Sequence, residues 1–559
     1  MFLFAAAASL GTALLLSGVP ACAQSGGATK VGDTIVLDAR DALRRQDKAR
    51  LAAARTAIAA TQHPLAMWVD YWELNNRLSE ASQDELDAFY ARWPGTYVED
   101  RLRNDWLLEL GKRRDWRNLA REYPRFRMND DREVSCYALL ARHFDGEDVR
   151  TQARAAWLAQ READDGCALL ASTLYAAGRF TPADVWRKAR LATEANRQKV
   201  ATQAAGLIGD DAAKALAKIF DDPLRYLART RPRERNGYEL AALAVLRLAG
   251  NDPQAAATQL DEPWGARLRR ELGPPDLAWI WASVGKQAAL KLAPEADAYY
   301  QRAAQVRPGA VVDLPDDTLA WQARTALRAD NAADHWPRVL QAIAALSPAE
   351  QREPTWVYWK ARALQAMDPP PAASTAASAA PVAASGAAAP AASIAAAAAA
   401  SGASDAQPSA PKPTPAQLLL ESIANQYSFY GKLAAEELGR PFAAPPKPAP
   451  LTPQELTQAR ATPGLARSLQ LIALGLRNEG VREWNYTLRG MGDRELLAAA
   501  QIACEAQVWD RCINTSDRTR SEIDMAQRFP TPYREDVVRA ASESGIDPAY
   551  LYGLIRQES

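Results

Sequence analysis

The chain has 559 residues, which is too long for one compact core and predicts several units or one extended array. It carries 67 basic and 67 acidic residues, so no net field favours nucleic acid or an anionic membrane surface. Alanine, leucine, arginine and glutamate dominate. These residues lose little side-chain freedom in a helix, so the composition predicts an all-helical protein.

The N-terminus has the pattern of a secretory signal. The first 23 residues carry no charge, residues 2–19 are apolar, and Ala21-Cys22-Ala23 is a small-x-small cleavage site. We expect cleavage after Ala23 and export to the periplasm, although the usual basic n-region is missing. A lipid anchor on Cys22 is the alternative. No later apolar run reaches the ~20 residues that cross a bilayer, so no integral membrane segment is expected after signal removal.

Four cysteines remain after signal cleavage: Cys136, Cys167, Cys504 and Cys512. An even count in an exported protein favours disulfides, and neighbours in sequence would pair as Cys136–Cys167 and Cys504–Cys512. The alternative is four small buried hydrophobic side chains. The three histidines are scattered and no CxxC pair exists, so no metal site is expected.

Residues 38–367 follow a pattern of short amphipathic helices. Leu65, Trp68 and Trp72 are spaced i, i+3 and i+7, and Leu102, Trp106 and Leu110 are spaced i, i+4 and i+8. A helix with one apolar face must stack on others to bury it. No strict repeat is present, so we predict an irregular α-superhelix, a solenoid or ring. The 16 tryptophans are expected to pack between helices rather than to bind sugars.

Helix boundaries are also legible. Gly250 is predicted to end one helix, with Asp252-Pro253 starting the next, and Asp221-Asp222-Pro223 predicts a similar boundary.

Residues 369–415 are alanine, proline, serine and glycine with almost no charge, which predicts a disordered insertion. A helix is expected over 418–438 and a helical block from about 455 to 525. A stiff joint at 528–533 follows.

The last predicted helix carries the candidate chemistry. Asp547-Pro548 starts it, and Leu551, Leu554, Ile555 and Glu558 share one face. A glutamate in apolar surroundings has a raised pKa and can act as a general acid. From the spacing alone, the favoured alternative is that Glu558 is a solvent-exposed residue in a frayed last helical turn.

Three segments change that balance. Arg528-Phe529-Pro530 with Tyr533, then Gly545-Ile546-Asp547-Pro548, then residues 552–559 (Tyr-Gly-Leu-Ile-Arg-Gln-Glu-Ser) closely resemble the opening of the catalytic domain of soluble lytic murein transglycosylases. Residues 428–439 resemble the linker region of that family. The resemblance is specific at the Arg-Gln-Glu-Ser motif and loose across the superhelix.

The resemblance implies cleavage of the β-1,4 bond between N-acetylmuramic acid and N-acetylglucosamine in peptidoglycan, with a 1,6-anhydromuramoyl product. It implies that Glu558 is the single acid and base, that Ser559 positions it or the substrate, and that no metal or organic cofactor takes part. It also implies that glycan strands are the partner. The predicted domains are a signal peptide (1–23), the superhelix (30–368), the insertion (369–415), a helical linker domain (416–528) and the start of a lysozyme-like domain (529–559).

The sequence departs from the family where the sugar groove should follow, since its Gly-Leu-Met-Gln-type and Tyr-Asn-Ala-Gly-type segments do not occur after Glu558. We therefore expect residues 1–559 to be a truncated enzyme that is catalytically inactive by itself. The alternative is a non-catalytic periplasmic scaffold that binds the cell wall or envelope proteins. A third idea, nucleic-acid binding by the basic run 225–235, is not favoured, because basic and acidic residues interleave elsewhere.

Overall fold

The computed structural model describes residues 22–261, 264–306, 313–329, 335–367, 412–441 and 443–558, with side chains of the first helix from Lys30 onward. Residues 1–21 of the predicted signal, residues 369–411 of the predicted insertion, and Ser559 lie outside the described residues. Within the described ranges the regular elements are 31 α-helices and three short 3₁₀ helices, without strands. The predicted all-α superhelical class is confirmed. No described helix is long and apolar enough to cross a bilayer.

The helices of the first third are α1 Cys22–Arg44, α2 Lys48–Ala59, α3 Ala66–Asn76, α4 Gln83–Arg92, α5 Tyr97–Arg113, α6 Trp116–Glu122, α7 Arg132–Phe144, α8 Arg150–Ala159 and α9 Asp165–Ala176. The middle helices are α10 Pro182–Glu194, α11 Gln198–Gly206, α12 Asp210–Asp221, α13 Pro223–Arg229, α14 Arg235–Asn251, α15 Pro253–Asp261, α16 Trp264–Leu272, α17 Pro274–Leu290, α18 Ala296–Val306, α19 Asp316–Leu327, α20 His335–Ala345, α21 Pro354–Met367, α22 Pro415–Ile423 and α23 Phe429–Glu437. The last are α24 Pro453–Ala461, α25 Pro463–Ala473, α26 Arg477–Thr487, α27 Asp493–Glu505, α28 Trp509–Ser516, α29 Met525–Arg528, α30 Arg534–Glu543 and α31 Pro548–Glu558. The 3₁₀ helices are Leu78–Glu80, Tyr123–Arg125 and Glu350–Arg352.

The chain divides into two compact units. Of the described residues, the first unit contains 22–160, 164–173 and 444–558, and the second contains 161–163 and those within 174–443. The first unit therefore combines the N-terminal helices with α24–α31. The sequence pattern does not reveal that the N-terminal helices and α24–α31 belong to one unit, because each of these helices carries an ordinary apolar face.

The apolar stripes of the first unit form its core. Leu65, Trp68 and Trp72 are buried, as are Leu102 and Trp106. Fully burying side chains of this size contributes about 1.5–3 kcal/mol each before entropy is counted. These tryptophans pack between helices, as predicted.

The second unit buries charge as well as apolar surface. The guanidinium of Arg190 bonds Glu239 and Asp276, each at 2.5 Å. Burial raises the pKa of Glu239, although Arg190 opposes that shift. Removing one member of such a buried ion pair is costly, because the remaining buried charge then has no partner.

Helix boundaries follow capping chemistry, with two corrections. Asp222 caps α13 and Asp252 caps α15, each accepting a 2.9 Å bond from the N–H three residues on. Gly250, however, lies inside α14, which ends at Asn251. The single helix expected over 418–438 is broken into α22 and α23, because the Ser428 hydroxyl accepts a 3.1 Å bond from the N–H of Gly431 and starts a second helix.

Both cysteine pairs are joined in the structure. Cys136 on α7 bonds Cys167 on α9, with 5.0 Å between their Cα atoms, and Cys504 on α27 bonds Cys512 on α28 at the same Cα separation. Each bond links neighbouring helices of the first unit. The geometry therefore places the four thiols where the expected pairing needs them.

Candidate active site

The segment that carries the candidate glutamate is shaped by local rules. Gly545 adopts φ +64°, which an L side chain rarely takes, and ends α30 while the Ile546 N–H donates to the Ala541 carbonyl at 2.9 Å. The Asp547 carboxylate then accepts a 2.7 Å bond from the Ala549 N–H, and Pro548 opens α31. This turn sets the direction of the helix on which Glu558 lies.

Glu558 ends α31 with its side chain exposed to solvent. Leu554 and Ile555, which share its face, are 48% and 39% exposed, and α31 buries none of its residues. The predicted apolar stripe is therefore present, and its residues Leu554 and Ile555 are partly exposed to solvent. General-acid chemistry by a glutamate near neutral pH is favoured by burial in apolar surroundings, whereas the described residues leave the Glu558 side chain exposed.

Arg556, two residues before Glu558, anchors the helix. Its guanidinium lies 3.3 Å from the Asp517 carboxylate, donates to the Arg528 carbonyl, and stacks 4.4 Å from the centre of the Phe529 ring. The Tyr552 hydroxyl adds a 2.9 Å bond to the Pro532 carbonyl. Within the Arg-Gln-Glu-Ser motif, the arginine therefore has a positioning role. Ser559 lies outside the described residues.

Asp517, which binds Arg556, directly follows α28. The buried carboxylate of Glu483 connects this group of helices, α24–α28, to the N-terminal helices. Glu483 accepts 2.7 Å from the Trp68 indole N–H and 2.6 Å from the Arg467 guanidinium. Burial raises the pKa of Glu483, while both partners oppose the shift. A second tie runs from the Gln470 amide to the Asp33 carboxylate at 2.9 Å.

The sequence did not reveal Asp517, Glu483 or Arg467. The first is a single acid in a loop, and the other two sit among ordinary helix charges with no motif around them. Among the described residues, no group of three or more histidines, cysteines or acids could hold a metal ion.

These features define an all-helical protein whose terminal helices present one candidate acid–base glutamate on an anchored turn. Residues 458–521 match the family described as soluble lytic murein transglycosylase L domain. That match covers α25–α28, which support Arg556 and carry Glu483.

Curated relatives match most of the chain. Soluble lytic murein transglycosylase of Escherichia coli K12 is 22% identical over 517 residues, covering 89% of this chain and 69% of the relative. The same enzyme of Salmonella typhimurium LT2 is 22% identical over 519 residues, with the same coverage.

Solved structures share the fold. An inactive mutant of lytic transglycosylase Slt from Pseudomonas aeruginosa aligns with a TM-score of 0.59 at 22% identity, covering 94% of this chain and 77% of that one. The 70-kDa soluble lytic transglycosylase of Escherichia coli aligns at 0.54 and 18% identity, covering 95% and 77%. The resemblance to soluble lytic murein transglycosylases is thus confirmed.

Proposed function

We propose that this chain contributes to a peptidoglycan lytic transglycosylase activity, which cleaves the β-1,4 bond between N-acetylmuramic acid and N-acetylglucosamine. The observation that carries the proposal is the similarity to soluble lytic murein transglycosylases over 89% of the chain. The L-domain match at 458–521 supports it, because that region holds the helix with Glu558 in place.

In the proposed reaction, Glu558 acts first as acid and then as base. Its carboxyl gives a proton to the glycosidic oxygen as the bond from C1 of the muramoyl sugar breaks. The carboxylate then takes the proton of the C6 hydroxyl of the same sugar, whose oxygen bonds to C1 and closes a 1,6-anhydro ring. No water is consumed and one carboxylate suffices, in contrast to two-carboxylate glycosidases. Ser559 is proposed to position Glu558 or the sugar.

This chemistry requires more than the exposed carboxylate that the structure shows. Proton donation near neutral pH needs apolar cover over the carboxyl, and catalysis needs fixed groups around the sugar. We therefore propose that residues 24–559 alone do not turn over peptidoglycan, and that activity requires groups that cover Leu554 and Glu558. Anhydromuropeptides released by purified residues 24–559 would contradict this statement.

The reaction is tested on purified sacculi with the natural gene product, isolated from the cells that make it. Mass spectrometry is expected to find muropeptides one water lighter than hydrolysis products, and Glu558→Gln is expected to abolish them. The matched control is Glu543→Gln, an exposed glutamate at the end of α30. Products that carry a free reducing end, and are therefore one water heavier than anhydromuropeptides, would show a hydrolase instead and overturn the proposal.

The second candidate is a non-catalytic scaffold that binds the cell wall or envelope proteins. The exposure of Glu558 and of the aromatic residues Tyr533 and Tyr550 nearby favours it, because exposed apolar faces mark binding surfaces. A natural gene product that binds sacculi, releases no product and is unchanged by Glu558→Gln would establish this alternative.

We also propose export to the periplasm with cleavage after Ala23. Support comes from the uncharged apolar start of the sequence and from the envelope substrate implied by the relatives' name. N-terminal sequencing of the protein from a periplasmic fraction is expected to begin at Gln24. A mature protein that carries lipid on Cys22 would favour the lipoprotein alternative.

A further inference from the structure

A second concave surface lies in the first unit, and Glu558 is not part of its wall. It encloses about 640 Å³ between the start of α5, the loop before α7 and the helices α25 and α26. Tyr97, Arg127, Arg467, Tyr486, Thr487 and Arg489 line it. We call this surface the arginine groove.

The described residues that line the arginine groove include three guanidinium groups and no carboxylate. The acids that balance these charges lie behind the wall. Arg127 contacts Glu99 and Asp100, and Arg467 contacts the buried Glu483 at 2.6 Å. A ligand in the groove therefore meets positive charge directly.

Two of the three arginines can turn toward a ligand at small cost. Arg127 is 45% exposed, and without it Glu99 keeps a 2.9 Å bond from Arg103 and a 2.7 Å bond from the Gly95 N–H. Arg489 is exposed and donates only a long 3.4 Å bond to the Met128 carbonyl. The buried carboxylate of Asp100, which also faces Arg127, keeps hydrogen bonds from the backbone N–H groups of Arg127 and Met128 at 2.7 and 2.8 Å.

Both cations lie close to one aromatic ring. The guanidinium carbons of Arg127 and Arg489 lie 6.0 and 5.6 Å from the centre of the Tyr486 ring. Tyr97, which is buried, holds that ring edge to face at 5.8 Å. Burial raises the pKa of the Tyr486 hydroxyl, so it remains a neutral donor. The groove thus offers a fixed ring with two guanidinium groups within 6.0 Å of its centre.

We propose that the arginine groove binds a carboxylate of a peptidoglycan fragment, giving the protein a second substrate-binding site apart from Glu558. The inference rests on the proposed function for the identity of the polymer. Arginine pairs with carboxylates through two parallel hydrogen bonds, and an aromatic ring packs against the apolar face of a sugar. Peptidoglycan supplies such carboxylates from two sources: the lactyl group of unsubstituted muramic acid and the stem peptide.

The test is a titration of residues 24–559 by calorimetry at low salt. The probes are N-acetylmuramic acid, N-acetylmuramyl-L-alanyl-D-isoglutamine and, as the carboxyl-free control, tri-N-acetylchitotriose. One or both acids are expected to bind, and which of them binds identifies the carboxylate source. The chitotriose is expected to bind at least about tenfold more weakly, because it lacks the charge-assisted hydrogen bonds.

The decisive variants are Arg489→Ala and Arg127→Ala, each expected to weaken acid binding about tenfold. The matched control is Arg477→Ala on α26, which removes the same charge from an exposed pair with Asp510 outside the groove. Circular dichroism verifies that each variant is folded. Absence of acid binding, or unchanged binding in both groove variants, would refute the inference.

Failure of this inference and failure of the proposed function give different results. If the natural gene product releases anhydromuropeptides but the groove binds no acid, only the groove assignment falls. If the groove binds acids through Arg489 and no anhydro product forms, the catalytic assignment falls and the groove remains.

Discussion

The indole N–H of Trp68 donates a 2.7 Å hydrogen bond to the carboxylate of Glu483, which lies 415 residues further along the chain. Trp68 belongs to the N-terminal helices, and Glu483 to the helices that carry the candidate active-site segment. Arg467 holds the second oxygen of the same carboxylate. This buried contact therefore fixes distant parts of the chain within one unit.

Removing that carboxylate should loosen the first unit. Glu483→Ala leaves the Arg467 charge and the Trp68 donor without an acceptor, and we expect a loss of about 3 kcal/mol. Urea unfolding followed by tryptophan fluorescence measures it. The control Glu479→Ala breaks the more exposed Arg40 pair and should cost less than about 1 kcal/mol. Equal losses in the two variants would refute a special role for Glu483.

The Asp493 carboxylate makes stability depend on pH. It accepts from the N–H groups of Arg520, Ser521 and Glu522 at 3.0, 2.7 and 3.1 Å, and the bonds from Ser521 are the main reason that its pKa lies well below 3.8. A lowered folded-state pKa gives stability that is present above the unfolded-state value and is lost as pH falls through the folded-state value.

We therefore expect Asp493→Asn to lower the melting temperature at pH 7, and the gap from wild type to close as pH falls below about 4. Thermal melts at several pH values measure this gap. Asp536→Asn, at an exposed pair with Arg539, is the control and should show almost no gap. A gap for Asp493→Asn that stays constant with pH would contradict the assignment.

The two disulfide bonds should stabilise the first unit by different amounts, so their loss should lower its free energy of unfolding unequally. The bonds close loops with sequence separations of 31 and 8 residues. Loop-closure entropy then predicts losses of about 3.7 and 2.5 kcal/mol for the Cys136–Cys167 and Cys504–Cys512 bonds. The paired Cys→Ala variants, compared by urea unfolding, measure both. Mass spectrometry before and after reduction verifies the bonds, since a protein without them gains no hydrogens.

Gly464 allows α25 to approach α26 closely. A Cβ atom there would lie 2.2 Å from the Thr487 hydroxyl oxygen. Gly464→Ala is expected to cost about 1–3 kcal/mol by overpacking, and adding Thr487→Ala should recover part of that loss. By contrast, Gly553 has open space around its Cβ position in the middle of α31, so Gly553→Ala should be neutral or stabilising by up to about 1 kcal/mol. Denaturation curves of Gly464→Ala, Thr487→Ala, the double variant and Gly553→Ala test this, and additive effects in the first three would exclude the contact.

Arg556 should govern the order of α31. Arg556→Ala removes the contacts with Asp517, the Arg528 carbonyl and the Phe529 ring. We expect faster hydrogen exchange over 548–558 in this variant. Asp517→Ala should have less effect, because it removes only one of the three Arg556 contacts, together with the Arg528 pair. Arg539→Ala on α30 serves as the control. Unchanged exchange in Arg556→Ala would show that Tyr552 alone holds the helix.

The sequence by itself determined the helical class, the buried faces around Trp68 and Trp106, and the caps at Asp222, Asp252 and Asp547. These features arise from contacts within a few residues, which composition and spacing report directly. It also identified Glu558 as the candidate acid–base group through the motif around it.

Only the tertiary structure decided what surrounds those residues. It placed Glu483 against Trp68, Asp517 against Arg556, and Arg127 beside Tyr486 and Arg489, all pairings that follow from the path of the chain. It also left the face of Leu554, Ile555 and Glu558 exposed. A stripe of apolar residues predicts that a face can be buried, but whether it is buried depends on which other atoms reach it. That depends on long-range packing, which local spacing does not encode.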